Sequence, residues 1–258
     1  KGCTQIGVCG KLPDVANMQD LLVYVTKGLS EVATALRAEG KSVPREIGAL
    51  VTYNLFVTIT NANFDKEAII RDVEEKAKFL AQLSNKEGLT DAANWDGNMD
   101  EYEAKAKTVG VLAEQNEDIR SLKELITYGL KGLAAYEHHA NMVGRYNDAT
   151  NEFVQSALAD TLKEKSVDEL IALTLETGKY GVDAMADLDA GNTGKYGNPE
   201  LTKVNIGVGN KPGILISGHD LNDLEQLLDQ TKGTGVDVYT HSEMLPAHYY
   251  PNLKKYKH

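Results

Sequence analysis

Two cysteines, Cys3 and Cys9, are all the thiol chemistry in 258 residues. That is too few for a disulfide framework. Positive charge is also short: 27 Lys and Arg stand against 38 Asp and Glu, leaving a formal charge of −11. That balance argues against broad binding to nucleic acid or to anionic membranes. No apolar run approaches the roughly eighteen residues that a bilayer-spanning helix needs. There is no internal repeat, low-complexity tract or sustained heptad pattern. The glycine-rich segment Gly207–Gly213 lacks Gly-Lys-Ser/Thr and the dinucleotide spacing, and it lies between two apolar runs, so it reads as a turn. An initial Met is missing as well: the chain starts at Lys1, which suggests processing upstream and makes the lack of a targeting segment uninformative.

What is present is mostly helical pattern, from about Asn17 to Asp189. Leu22, Val25, Leu29, Val32 and Leu36 recur every three or four residues, with Gly40 as a stop signal. A second helix is expected from Pro44 to Thr60. Asp65 caps a third, which carries Ile70, Val73, Ala77 and Leu80. Residues 85–99 read as a polar loop around the only tryptophan, Trp95. Asp100 with Glu103 suggests a capping box, and Asn116-Glu117-Asp118 a further helix start, with Gly144 at its end. Thr150 is expected to open the next helix. Ser166 with Glu169 is a second box, before a last helix ending near Asp189. Two antiparallel three-helix bundles side by side would bury these stripes.

Past the glycines of 190–200 the period changes. Val204–Val208, Ile214–Ser217 and Val236–Thr240 read as strands, with an amphipathic helix from Leu221 to Asp229 between the last two. The expected architecture is therefore multidomain: a helical domain over 1–200, then the start of a parallel-sheet, Rossmann-like α/β domain over 201–258. One strand–helix–strand unit cannot cover both faces of a parallel sheet. The chain is accordingly expected to be a piece of a longer protein.

That unit also carries the sharpest chemical signal. His219 and Glu243 each sit just past a strand, and a parallel crossover delivers both strand ends to one sheet edge, where ligands bind in open α/β folds. An imidazole and a carboxylate so placed are candidate metal ligands or an acid/base pair. The bland alternatives are a capping or buried histidine and a solvated glutamate. His241 is a candidate supporting donor, or a plain surface or core residue. Asp220 could orient His219 or cap the helix that follows it. Around Cys3 and Cys9, glycines let backbone N–H groups approach sulfur, as iron–sulfur loops require; free thiols or a chance disulfide are the alternative. His138 and His139 are adjacent on a helix, share no face, and read as structural or solvated. Trp95 reads as packing, and Asn61 and Asn63 as turn residues.

Taken together, Gly2-Cys3 through Cys9-Gly10-Lys11, Met18–Leu22, Ile59–Asn63, Glu117–Leu122, Tyr196–Pro199, Val204–Ile206, Ile214–Leu221, Gly233–Val236, Tyr239–His241 and Glu243–Ala247 resemble the hybrid cluster protein family, also called the prismane or hydroxylamine reductase family. The resemblance covers essentially the whole chain. It implies a helical domain of two three-helix bundles followed by α/β domains, and two clusters. One is an N-terminal cubane, whose last two cysteines match Cys3 and Cys9; five residues between them looks like the anaerobe form with a [4Fe-4S] cluster. The other is a hybrid [4Fe-2O-2S] cluster whose ligands include one His and one Glu, matching His219 and Glu243. The remaining ligands of both clusters have no counterpart in this chain. The implied activity is a cytoplasmic oxidoreductase reducing hydroxylamine to ammonia, or nitric oxide, fed by an electron-donor protein. A carbon monoxide dehydrogenase-like enzyme and a non-catalytic helical module are the other readings, and the isolated 258 residues are expected to be inactive.

Overall fold

The computed structural model describes residues 6–7, 9–59, 63–82 and 87–258, with the backbone alone over 76–82. It is mostly helical, with one small sheet of two parallel strands. The chain forms two compact units. One comprises residues 1–138 and 147–185, the other 139–146 and 186–258.

In the first unit, helix α1 (Pro13–Ala38) is the central element. It packs against α2 (Arg45–Ile59), α3 (Lys66–Gln82), the short α4 (Asp91–Asn94), α5 (Met99–Val109) and α7 (Asp148–Asp160). Its apolar stripe explains this, since Leu22, Val25, Leu29 and Val32 are all at most 1% exposed. The long helices α6 (Glu117–Met142) and α8 (Val167–Tyr196) contribute their residues 117–138 and 167–185 to this unit. Two apolar cores result. Val15 to Val25 of α1 gather Val57, Ile69, Val73 and Tyr102. Leu29 to Ala33 gather Val51, Leu55, Ile126, Leu130, Val154, Leu158 and Leu170. Trp95 packs on the first core, its ring 5.7 Å from that of Tyr102. His138 stacks on Phe56 at 4.8 Å, the structural role its sequence neighbours suggest.

The helix signals hold at several ends. Gly40 takes φ +75° after α1. Asp65 accepts from the Ala68 amide, and Asn116 Oδ1 from the Asp118 and Ile119 amides. Ser166 and Glu169 form the reciprocal box before α8. Asn63 Oδ1 accepts from the Asp65 amide in the turn, whereas Asn61 lies outside the described residues, as does Cys3.

Other expectations are corrected. The box before α5 uses Asn98 and Glu101, not Asp100 and Glu103; Glu103 instead takes an ion pair from Lys66 at 2.9 Å. Asn147, not Thr150, caps α7, accepting from the Thr150 amide. The loop at 85–99 is interrupted by α4, whose Ala92 and Ala93 are buried. It lies so close to α1 that a Cβ on Gly28 would stand 2.0 Å from the Ala92 carbonyl oxygen. Helix α8 does not stop near Asp189. Gly191 is there for close packing, because a Cβ would meet Val143 Cγ2 at 2.6 Å, and the helix ends only where Gly197 turns to φ +86°.

In the second unit, β1 (Gly213–Ser217) and β2 (Asp237–His241) pair in parallel, joined by α9 (Leu221–Thr231). Tyr196, Leu221, Leu224, Leu228, Met244, Ala247, Tyr250 and Leu253 form its core. Val204–Val208 is not a strand. Ile206 is 98% exposed; Gly207 N–H donates to Asn205 Oδ1 within the segment, and just past it Gly209 N–H donates to the Tyr239 hydroxyl of β2. With no neighbouring strand among the described residues, its alternating pattern has no ladder to join.

Candidate metal centre at the paired strand ends

The register of the two strands decides where the candidate ligands fall. Ser217 pairs with His241, so residues twenty-four apart in sequence lie side by side along the sheet. His219 and Glu243 have that same separation and each lies two residues past its strand. The residue before each takes a left-handed conformation, Gly218 at φ +131° and Ser242 at φ +51°. Just beyond each of these two residues a side chain is buried in the unit's core, Leu221 at the start of α9 and Met244 in the 3-10 turn Ser242–Tyr249. Left-handed turn, polar side chain and apolar anchor thus recur at both strand ends. The positive φ at Ser242 is uncommon for a residue with a side chain and marks a local cost that the fold maintains.

The two side chains meet. His219 Nε2 lies 2.7 Å from Glu243 Oε2, with 64% and 62% of the side chains exposed. An exposed pair of this kind contributes little to stability, on the order of 0–1 kcal/mol.

Around the pair, Ser217 Oγ is hydrogen-bonded to His241 Nδ1 at 3.1 Å, and Thr240 Oγ1 to His248 Nε2 at 2.8 Å. Burial holds the His248 imidazole below its usual range. Asp220 caps α9, its Oδ1 accepting from the Asn222 amide at 2.8 Å, while Oδ2 stands 3.6 Å from His139 Nδ1. Sequence reasoning singled out His219 and Glu243, which the structure brings together, but not Ser217, Gly218 and Ser242 beside them. The equal spacing of strand end to strand end and of His219 to Glu243 was the signal that could have found them.

Among the described residues no group of three or more His, Cys, Asp or Glu side chains converges on one point. The pair therefore offers two potential donors. Its chemistry suits iron with oxygen ligands, since imidazole and carboxylate are harder donors than thiolate. Cys9 lies elsewhere, exposed, in a loop that the Gly7 N–H closes onto the Lys11 carbonyl at 2.9 Å. A Cβ on Gly7 would stand 3.0 Å from Cys9 Sγ, so glycine there keeps the space beside the sulfur clear. That fits a thiolate ligand in a glycine loop.

The profile of the Prismane/CO dehydrogenase family matches residues 1–258. Over its whole length the chain is 61% identical to a protein of Desulfovibrio desulfuricans named hydroxylamine reductase, covering 48% of it. It is 58% identical to the hydroxylamine reductase of Bacteroides thetaiotaomicron, with 48% of that protein covered. Against the hydroxylamine reductase of Clostridium tetani the identity is 53%, with 51% covered. The chain spans about half the length of the curated relatives it matches.

Proposed function

Because the chain belongs to the Prismane/CO dehydrogenase family, we propose that it forms the N-terminal part of an iron–sulfur oxidoreductase reducing hydroxylamine to ammonia. The reaction consumes two electrons and two protons per hydroxylamine and releases ammonia and water. The observation that carries this reading is the 2.7 Å convergence of His219 and Glu243 at register-equivalent strand ends, in a chain more than half identical to proteins named for that reaction. In finer detail, the helical residues up to about 200 form two three-helix bundles, a reading supported by the two separate apolar cores. Residues 201–258 begin a Rossmann-like domain, supported by the parallel β1–α9–β2 unit.

In this proposal His219 Nε2 and Glu243 Oε2 hold the iron of a hybrid [4Fe-2O-2S] cluster, and Cys9, with Cys3, contributes to a [4Fe-4S] cubane. When bound, the clusters supply the electrons and an iron at which the N–O bond is broken. The chain's own side chains set the frame. The turns at Gly218 and Ser242 aim the imidazole and carboxylate past the sheet edge. The capped start of α9 and the buried Met244 hold their backbones. Ser217 Oγ and His241 Nδ1 are hydrogen-bonded to each other two residues behind them. His219 and Glu243 act as ligands rather than as general bases. Nitric oxide is a second substrate in this proposal, an electron-donor protein supplies the electrons, and the reducing cytoplasm of an anaerobe is the compartment. No helix among the described residues is long and apolar enough to cross a membrane.

The test is an anaerobic assay of the full-length protein reconstituted with iron and sulfide. Hydroxylamine-dependent oxidation of a reduced dye, with ammonia formed one for one, is expected. Absence of turnover with both hydroxylamine and nitric oxide in iron-replete protein overturns the reading. Nickel in the native metal content would instead favour chemistry of the carbon monoxide dehydrogenase kind.

A further inference from the structure

The first unit contains a cavity of about 430 Å³ lined by α1, α5 and α6, within the size range of small-molecule sites. Four ionisable side chains face it. Asp20 and Lys27 are seven residues apart on α1, and Glu124 and Lys131 seven apart on α6. Seven residues are two helical turns, so each pair lies on one helix face, about 10 Å apart along the axis. Asp20 is attracted most strongly by Lys131, and Lys27 by Glu124. Both signs of charge are thus set around the one cavity, with Lys131 the strongest opposite charge on Asp20 and Glu124 that on Lys27.

Despite this alternation, no hydrogen bond or ion pair engages any of the four side chains among the described residues. The other charges on the wall are matched: Asp91 takes an ion pair from Lys105 and a hydrogen bond from the Tyr24 hydroxyl. Both signs of charge in the quartet are carried at a cost. Burial raises the Asp20 carboxyl to about 6 despite three lysines nearby, lowers the Lys27 ammonium to about 8, and lowers that of Lys131. A ligand with one charge would relieve one sign and oppose the other. A ligand carrying an ammonium and a carboxylate together answers both.

We propose that this cavity binds a small zwitterion of the α-amino-acid class, its ammonium on Asp20 and its carboxylate on Lys131, with the side chain extending toward Lys27 and Glu124. The site is built wholly within the helical unit and uses none of the candidate cluster ligands. Binding there is a function separate from the proposed reduction.

The experiment is titration calorimetry of the chain with glycine and L-glutamine, using acetate and methylamine as single-charge controls. Saturable binding of L-glutamine is expected, at least tenfold tighter than either control, and weakened at least tenfold by Asp20→Asn and by Lys131→Met. Folding of both variants is checked by circular dichroism, and Lys131→Gln serves if the Met variant does not fold. The proposal is overturned if neither amino acid binds saturably, if acetate binds as tightly as L-glutamine, or if both folded variants retain full affinity.

Discussion

His219 Nε2 and Glu243 Oε2 stand 2.7 Å apart because the parallel register of β1 and β2 has the same twenty-four-residue offset as the two residues themselves. The contact is exposed, so it contributes little to holding the fold. His219→Ala and Glu243→Gln should each change the unfolding free energy of the chain by less than about 1 kcal/mol. If the proposed function holds, the same substitutions in the full-length protein should lower hydroxylamine turnover at least a hundredfold. Denaturant unfolding and a steady-state assay read the two effects separately.

Gly218 is tied to its residue type by φ +131°, a conformation that L side chains rarely adopt. Gly218→Ala should destabilise the chain by about 1–3 kcal/mol, although open space lies around the position, where the nearest atom is Met244 Cε at 3.9 Å. Thermal melts against wild type check it. An unchanged melting temperature would mean the turn relaxes without cost.

Gly28 makes a different demand, one of space. Its neighbour is backbone, with the Ala92 carbonyl oxygen 2.0 Å from where a Cβ would stand, so α1 and α4 must separate if any side chain is introduced. Gly28→Ala should cost about 1–3 kcal/mol or more. Gly132→Ala on α6, where a Cβ meets nothing within 4 Å, should instead be neutral or stabilising by up to about 1 kcal/mol through helix propensity. Paired chemical denaturation curves compare them.

Asp20 gives the stability a pH dependence of known sign. Its carboxyl titrates near 6 in the folded chain because burial disfavours the charge, against about 3.9 when unfolded. Between those values the folded state binds more protons, so stability falls as pH rises from about 4 to 6, and the full cost persists above. Asp20→Asn should therefore stabilise the chain at pH 7 and make no difference below pH 4. Lys27, titrating near 8, contributes the mirror image: its cost is present below pH 8 and fades toward pH 10.5. Stability of wild type and Asp20→Asn measured across pH 4 to 8 tests the first sign.

Much of this was legible in the sequence. The stripe from Leu22 to Val32 announced α1, Ser166 with Glu169 fixed the start of α8, and the apolar runs at 214 and 236 gave the sheet and with it the meeting of His219 and Glu243. What misled was local chemistry whose meaning depends on distant neighbours. Gly191 looked like a helix breaker until Val143 was seen to require its missing side chain. Val204–Val208 had a strand's alternation and no strand to pair with. Asp220 offered two roles in sequence, orienting His219 or capping the next helix, and its carboxylate takes the second, accepting from the Asn222 amide at the start of α9. The left-handed turn at Ser242 had no sequence signature, because serine ordinarily avoids that conformation.

The central claim is that His219 and Glu243 are iron ligands. The most direct test is the iron content and electron paramagnetic resonance of the full-length protein, wild type against His219→Ala, reconstituted anaerobically. The account predicts that the variant keeps its cubane signal and loses the iron and signal of the second cluster. A folded variant with the full complement of iron and both signals unchanged would contradict it.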